Sequence, residues 1–84
     1  MDDHAGIAQL VEMYASMIYR IAYTRMQNVA DAEDITQEVL LKYMKAGKIF
    51  RDEEHRKMWL IRVTVNTIKS SLTSAWRRHT VALD

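Results

Sequence analysis

The chain contains no proline, and its only glycines are Gly6 and Gly47. Proline and glycine are the strongest interrupters of regular backbone, so 84 residues with so few of them are free to run as long helices. Only two stretches read as breaks. In Gln27-Asn28-Val29-Ala30-Asp31, Asn28 is suited to the left-handed conformation that ends a helix and Asp31 to capping the next, which puts Asp34 at its third helical position. From Gly47 to Asp52, Gly47 is the expected stop and Asp52 the next cap.

Apolar residues between the breaks recur with a helical period. Ile7, Leu10, Val11, Tyr14, Met17, Ile18, Ile21 and Ala22 form one stripe, predicting a first helix over roughly 6–27. Ile35, Val39, Leu40, Tyr43 and Met44 give a second helix one wide apolar face, ending near Ala46. Trp59, Leu60, Val63, Ile68, Leu72 and Ala75 predict a third helix from about Glu53 to Arg78. The run Ile61, Val63, Thr64, Val65 is β-branched and would suit a strand if isolated, but it is flanked by helical periodicity with no turn signal. Short links between amphipathic helices imply packed neighbours, so the expected fold is all-α: one compact three-helix bundle, a single domain over residues 1–84. A domain of this size buries roughly 60 to 65% of its unfolded-chain surface. The six methionines read as gap-filling core residues.

Charge is unevenly placed. Residues 1–46 hold four Lys/Arg against seven Asp/Glu, net −3, and residues 47–84 hold eight against four, net +4. Such a split fits one face for a basic partner and another for a polyanion, or two solvated faces. With no cysteine there is neither disulfide nor thiolate metal site, the chain start is acidic, and no apolar run nears the ~18 residues of a membrane span. A cytoplasmic protein without membrane insertion is the expectation.

Enzymatic chemistry finds little support. His4, His55 and His79 lie far apart, and there is no glycine-rich phosphate loop or nucleophile elbow. Asp34 and Glu38, four apart, could face a cation together, but negative charge near a helix start usually serves the helix terminus. No metal, cofactor or catalytic residue is assigned. The basic half carries more. Arg62, Asn66, Lys69 and Thr73 make a polar stripe on the third helix, away from Leu60, Ile68 and Leu72, and Arg77, Arg78 and His79 extend it. Arg51, Arg56 and Lys57 lie at its other end, beside Phe50 and Trp59. Cations beside aromatic rings suit single-stranded nucleic acid, the charges holding phosphates and the rings stacking on unpaired bases. From spacing alone, a solvated face with Trp59 and Trp76 in the core is slightly favoured.

Asp31-Ala-Glu-Asp-Ile-Thr-Gln-Glu-Val, then Phe50-Arg51, then Trp59-Leu-Ile-Arg-Val-Thr-Val-Asn66-Thr, then Arg77-Arg78, resemble the region 2 domain of bacterial extracytoplasmic-function sigma factors. Order and spacing match without gaps from Asp31 to Arg78, and the resemblance covers roughly residues 7–79. It implies a non-enzymatic transcription initiation domain that binds core RNA polymerase and recognises and melts the promoter −10 element as single-stranded non-template DNA. The helix with Asp34, Gln37, Glu38, Leu41 and Lys42 would dock on the basic clamp helices of the largest catalytic subunit. The loop from Lys48 to His55 would form a pocket for a flipped base, with Phe50 in the position of the family's stacking residue. Asn66 matches a promoter-contacting position, and by position and charge Arg51, Arg56, Trp59, Arg62, Lys69, Arg77 and Arg78 would join the DNA-binding set. Where primary sigma factors place two adjacent aromatics, this chain has Trp59 followed by Leu60, which implies opening only at closely matched promoters.

A complete family member carries a second, helix-turn-helix domain, region 4, for the −35 element, and nothing after Asp84 supplies it. The chain therefore reads either as an excised fragment or as a standalone factor working with a separate region 4 subunit. The resemblance also admits an inhibitory anti-sigma factor as a partner. Two competing readings are a helical protein-interaction module without DNA binding of its own and a small metal-dependent enzyme using Asp34 and Glu38.

Overall fold

A computed structural model describes residues 3–83, with side-chain surroundings described for Gly6 and residues 8–74. Three helices follow one another: α1 (Asp3–Met26), α2 (Val29–Ala46) and α3 (Glu53–Leu83). Each packs on both others, as a three-helix bundle requires, and no strand is present among the described residues.

The two breaks are made differently. Gly47 ends α2 at φ 55°, ψ 28°, and Asp52 caps α3 by accepting from the His55 N–H at 2.8 Å, both as the sequence predicts. Between α1 and α2 the roles shift by one step. Gln27 takes the left-handed conformation at φ 55°, and Asn28 is the N-cap, extended at φ −149°, with its side chain accepting from the Asp31 N–H at 2.9 Å. Only Gln27 and Asn28 separate the helices, so α2 begins at Val29. Asp31 becomes its third residue rather than its cap, and Asp34 its sixth.

The core is Tyr14, Ile18 and Ala22 from α1, Ala32, Ile35 and Val39 from α2, and Leu60 and Ile68 from α3. Ala22 and Ala32, both fully buried, lie close to the two-residue turn. Small side chains there let the helix backbones approach. Thr64 and Thr67 are also buried, which apolar periodicity had not marked. Thr64 satisfies its hydroxyl by donating to the Leu60 carbonyl one turn back, at 2.6 Å, so its burial leaves no hydroxyl unpaired.

Several residues expected in the core are exposed: Leu10, Val11, Met44 and Leu72. Ile7 and Ala75 lie outside the described side chains. The methionine expectation also fails in part, since Met13, Met44 and Met58 are more than half exposed. In a three-helix bundle each helix has only two neighbours, so the ends of a wide apolar stripe reach solvent. Met13 and Met58 accordingly line an open groove between α1 and the start of α3, with Leu10, Met17 and Ile61.

Candidate functional site

Two faces emerge. At 100° per residue, Asp34, Gln37, Glu38 and Leu41 share one side of α2, opposite Ala32, Ile35 and Val39. Burying those three is what turns the four outward, and all four are exposed, including the apolar Leu41. Among these residues, none is in the first turn of the helix, where Asp31 is the only acidic residue. The favourable N-terminal field fades within a turn, so Asp34 loses the terminus-serving reading that an Asp31 cap would have given it.

Lys42 stands at the flank of that face. Its Nζ donates to Thr67 Oγ1 of α3 at 2.9 Å and pairs with Glu38 Oε2 at 3.2 Å. The lysine thereby ties α2 to α3 and supplies the partner of a buried threonine hydroxyl. Sequence spacing carries no signal of that contact.

The second face begins at the loop between α2 and α3. Phe50 is half-buried, stacked on Tyr43 with ring centroids 6.1 Å apart, and meets His55 at 5.3 Å and Trp59 at 5.6 Å edge to face. Tyr43 and Trp59 are 6.1 Å apart, so rings from α2, the loop and α3 form one cluster. Lys48 Nζ stands 6.0 Å from the Phe50 ring and 5.9 Å from that of Trp59, and the Arg56 guanidinium lies 5.4 Å from the Phe50 ring. Trp59 is neither sunk in the core nor free of it, being half-buried at the core's edge.

The loop is held by its own polar contacts. The Arg51 N–H donates to His55 Nδ1 at 3.2 Å, while the His55 N–H donates to Asp52. Arg56 pairs with Glu53, and Glu53 in turn accepts from the Tyr14 hydroxyl of α1. Burial, then the hydrogen bond and charge of Glu53, push the Tyr14 hydroxyl above the ordinary tyrosine value. Burial works against the Arg56 cation, but Tyr43 and Glu53 outweigh it and leave the guanidinium more firmly protonated than usual.

Down α3 the polar stripe runs on from the cluster. His55, Trp59, Arg62, Asn66, Lys69 and Thr73 recur at steps of three and four, and Arg62, Asn66, Lys69 and Thr73 are all exposed, opposite Leu60, Thr64 and Thr67. Arg51 is exposed in the loop, whereas Arg56 is half-buried by its internal contacts. The side chains of Arg77 and Arg78 lie outside the described residues. Lys48 and His55, the ends of the loop expected to form the pocket, join this face beside its rings, and Tyr43 joins it without having been singled out. Tyr43 reads as core by period, and the loop that follows Gly47 stacks Phe50 on it. No group of three or more metal-ligating side chains, and no helix long and apolar enough to cross a membrane, occurs among the described residues.

Fold and surfaces together define a three-helix domain with two chemically distinct exposed faces. The sigma-70 region 2 family profile matches residues 10–78. The chain is similar to the ECF RNA polymerase sigma factor SigW of Bacillus subtilis, 31% identical over 64 residues, 76% of this chain and 34% of the relative. It is similar also to the ECF RNA polymerase sigma-E factor of Haemophilus influenzae, 35% identical over 76 residues, 90% of this chain and 40% of the relative. The RNA polymerase sigma-H factor of Pseudomonas aeruginosa is 30% identical over 76 residues, 90% of this chain and 39% of that protein. No solved structure matches at a significant level. The chain belongs to the sigma-70 region 2 family and is a sigma factor domain. It spans two fifths or less of the length of these curated relatives.

Proposed function

We propose that this domain docks on the clamp helices of core RNA polymerase through the outer face of α2 and recognises and melts the −10 element through the loop and α3. The observation that carries the docking half is the placement of Asp34, Gln37, Glu38 and Leu41 together on the face opposite the core, none in the helix's first turn. Exposed acidic and amide groups around an apolar residue suit a basic helical partner, setting register and approach as well as affinity. Lys42 borders the contact and steadies the helix that presents it.

In the promoter half, Phe50 and Trp59 provide ring surface beside Lys48, Arg51 and Arg56. Arg62, Asn66 and Lys69, continued in sequence by Arg77 and Arg78, follow the strand along α3. Stacking of about 1 to 3 kcal/mol per base is of the size needed to offset flipping a base, on the order of a few kcal/mol. Binding energy alone can therefore hold an opened base without chemistry.

The test is a pull-down of purified bacterial core polymerase by the tagged 84-residue chain, comparing the parent with Gln37→Ala/Glu38→Arg. Reversing charge at the centre of the face should reduce recovery by tenfold or more, on the order of the 2 to 5 kcal/mol that a disrupted interfacial charge contact costs. Equal recovery of both proteins would sink the docking claim.

A further inference from the structure

Tyr14 sits in the core with 7% of its surface exposed, yet its hydroxyl is spent on a residue 39 positions away, donating to Glu53 Oε2 at the first position of α3. The other oxygen of that carboxylate accepts from Arg56. Arg56 lies against Phe50, and its Nε is buried with no partner. A buried N–H without a partner costs about 1 to 3 kcal/mol, so a free guanidinium would swing that group to water. Arg56 stays because Glu53 holds its far end, and Glu53, itself mostly exposed, is held in turn by a hydroxyl anchored in the core. The remaining ring neighbours of Phe50 come from α2 and α3. The Tyr14 chain of contacts adds a polar line from the loop's aromatic to α1, beside the apolar packing of Tyr43 and Trp59 on the core.

We propose that Tyr14 is a positioning residue for the promoter loop: through Glu53 it fixes Arg56 against Phe50, and so fixes the attitude in which Phe50 meets an unpaired base. This rests on the reading of Phe50 as a base-contacting residue. A cluster whose supporting contacts are locked presents its ring without first paying to order it, and that saving appears as base-dependent affinity.

The experiment compares the parent chain with Tyr14→Phe, which deletes one oxygen and keeps the buried ring. Five fluorescein-labelled single-stranded dT dodecanucleotides serve as probes, four with A, C, G or T at the centre and one abasic there. The quantity measured is the ratio of the best base to the abasic probe. In parallel, the Arg56 Nε–H resonance is followed by 15N NMR, assigned by its loss in Arg56→Lys. In the parent the ratio should be about fivefold or more, with a slowly exchanging Nε–H. Tyr14→Phe should at least halve the ratio, leave abasic affinity unchanged and speed exchange of the Nε–H. Glu53→Ala should likewise lower the ratio and speed exchange of the Nε–H, while raising affinity for all five probes alike because a carboxylate leaves the face. The double variant should lower the ratio no further than the lower single one, because both act along one chain of contacts. An Nε–H unchanged by Tyr14→Phe overturns the proposal, and so does an altered Nε–H with an unchanged ratio. If the parent itself does not discriminate, the base-pocket reading fails, and the positioning role fails with it.

Discussion

Removing the Lys42 ammonium isolates the tie between α2 and α3. Its bond to Thr67 Oγ1 is 2.9 Å, and Thr67 is 2% exposed, so Lys42→Ala strands a buried hydroxyl. A buried polar group left without a partner costs about 1 to 3 kcal/mol. The Glu38 pair adds little, because both side chains are about half exposed and such i,i+4 pairs contribute roughly 0.3 to 0.5 kcal/mol. The hydroxyl has one escape, rotation toward the Val63 carbonyl one turn back, the arrangement Thr64 already makes with Leu60. That escape places the cost of Lys42→Ala toward the low end, about 1 to 1.5 kcal/mol. In a domain this small it should appear as a fall in Tm of roughly 4 to 12 °C. Thr67→Val removes the hydroxyl and its demand together and should be close to neutral, leaving only the weak Glu38 pair for Lys42→Ala to lose in that background. The assay is urea unfolding followed by helical circular dichroism for the parent, both single variants and the double variant. Expected is a coupling of about 1 kcal/mol between the two sites. If Lys42→Ala costs the same with threonine or valine at position 67, the contact does not hold the helices together and the reasoning is refuted.

Two further outcomes test other parts of the fold. Gln27 is exposed and held at φ 55°, a conformation costing a residue with a Cβ about 1 kcal/mol. Gln27→Gly should therefore raise the urea midpoint even after the added chain entropy of glycine, and a lowered midpoint would contradict the turn described here. The raised value of Tyr14 has a defined pH sign. Folding favours the neutral phenol, so its stabilisation is complete below the unfolded tyrosine value of about 10 and is lost as pH rises through the higher folded value. From pH 9 to 11 the parent should lose stability more steeply than Tyr14→Phe, and parallel loss would remove the buried-hydroxyl account.

Much of this protein can be read along the chain. The lack of proline, the stop at Gly47 and the cap at Asp52 are local backbone chemistry, in which each residue acts on neighbours within a turn. Helical period likewise marks Ile18, Ile35, Val39, Leu60 and Ile68 as core, because a buried face must repeat with the helix. The spacing from the acidic helix to Trp59 and Asn66 is equally a property of the chain, and it carried the family resemblance.

Other features depended on which helices meet and where. Asn28 and Asp31 are both good caps, and the two-residue link between α1 and α2 settled the choice in favour of Asn28, moving Asp34 out of the first turn. Periodicity cannot say where a partner helix ends, so Leu10, Val11, Met44 and Leu72 read as core and are exposed. Thr64 and Thr67 read as polar and are buried, because a carbonyl one turn back and a lysine from another helix satisfy them. The aromatic cluster of Tyr43, Phe50, His55 and Trp59, and the line from Tyr14 through Glu53 to Arg56, join residues up to 39 positions apart. Contacts between residues so far apart in the chain leave no periodic trace, so only packing of the three helices could reveal them.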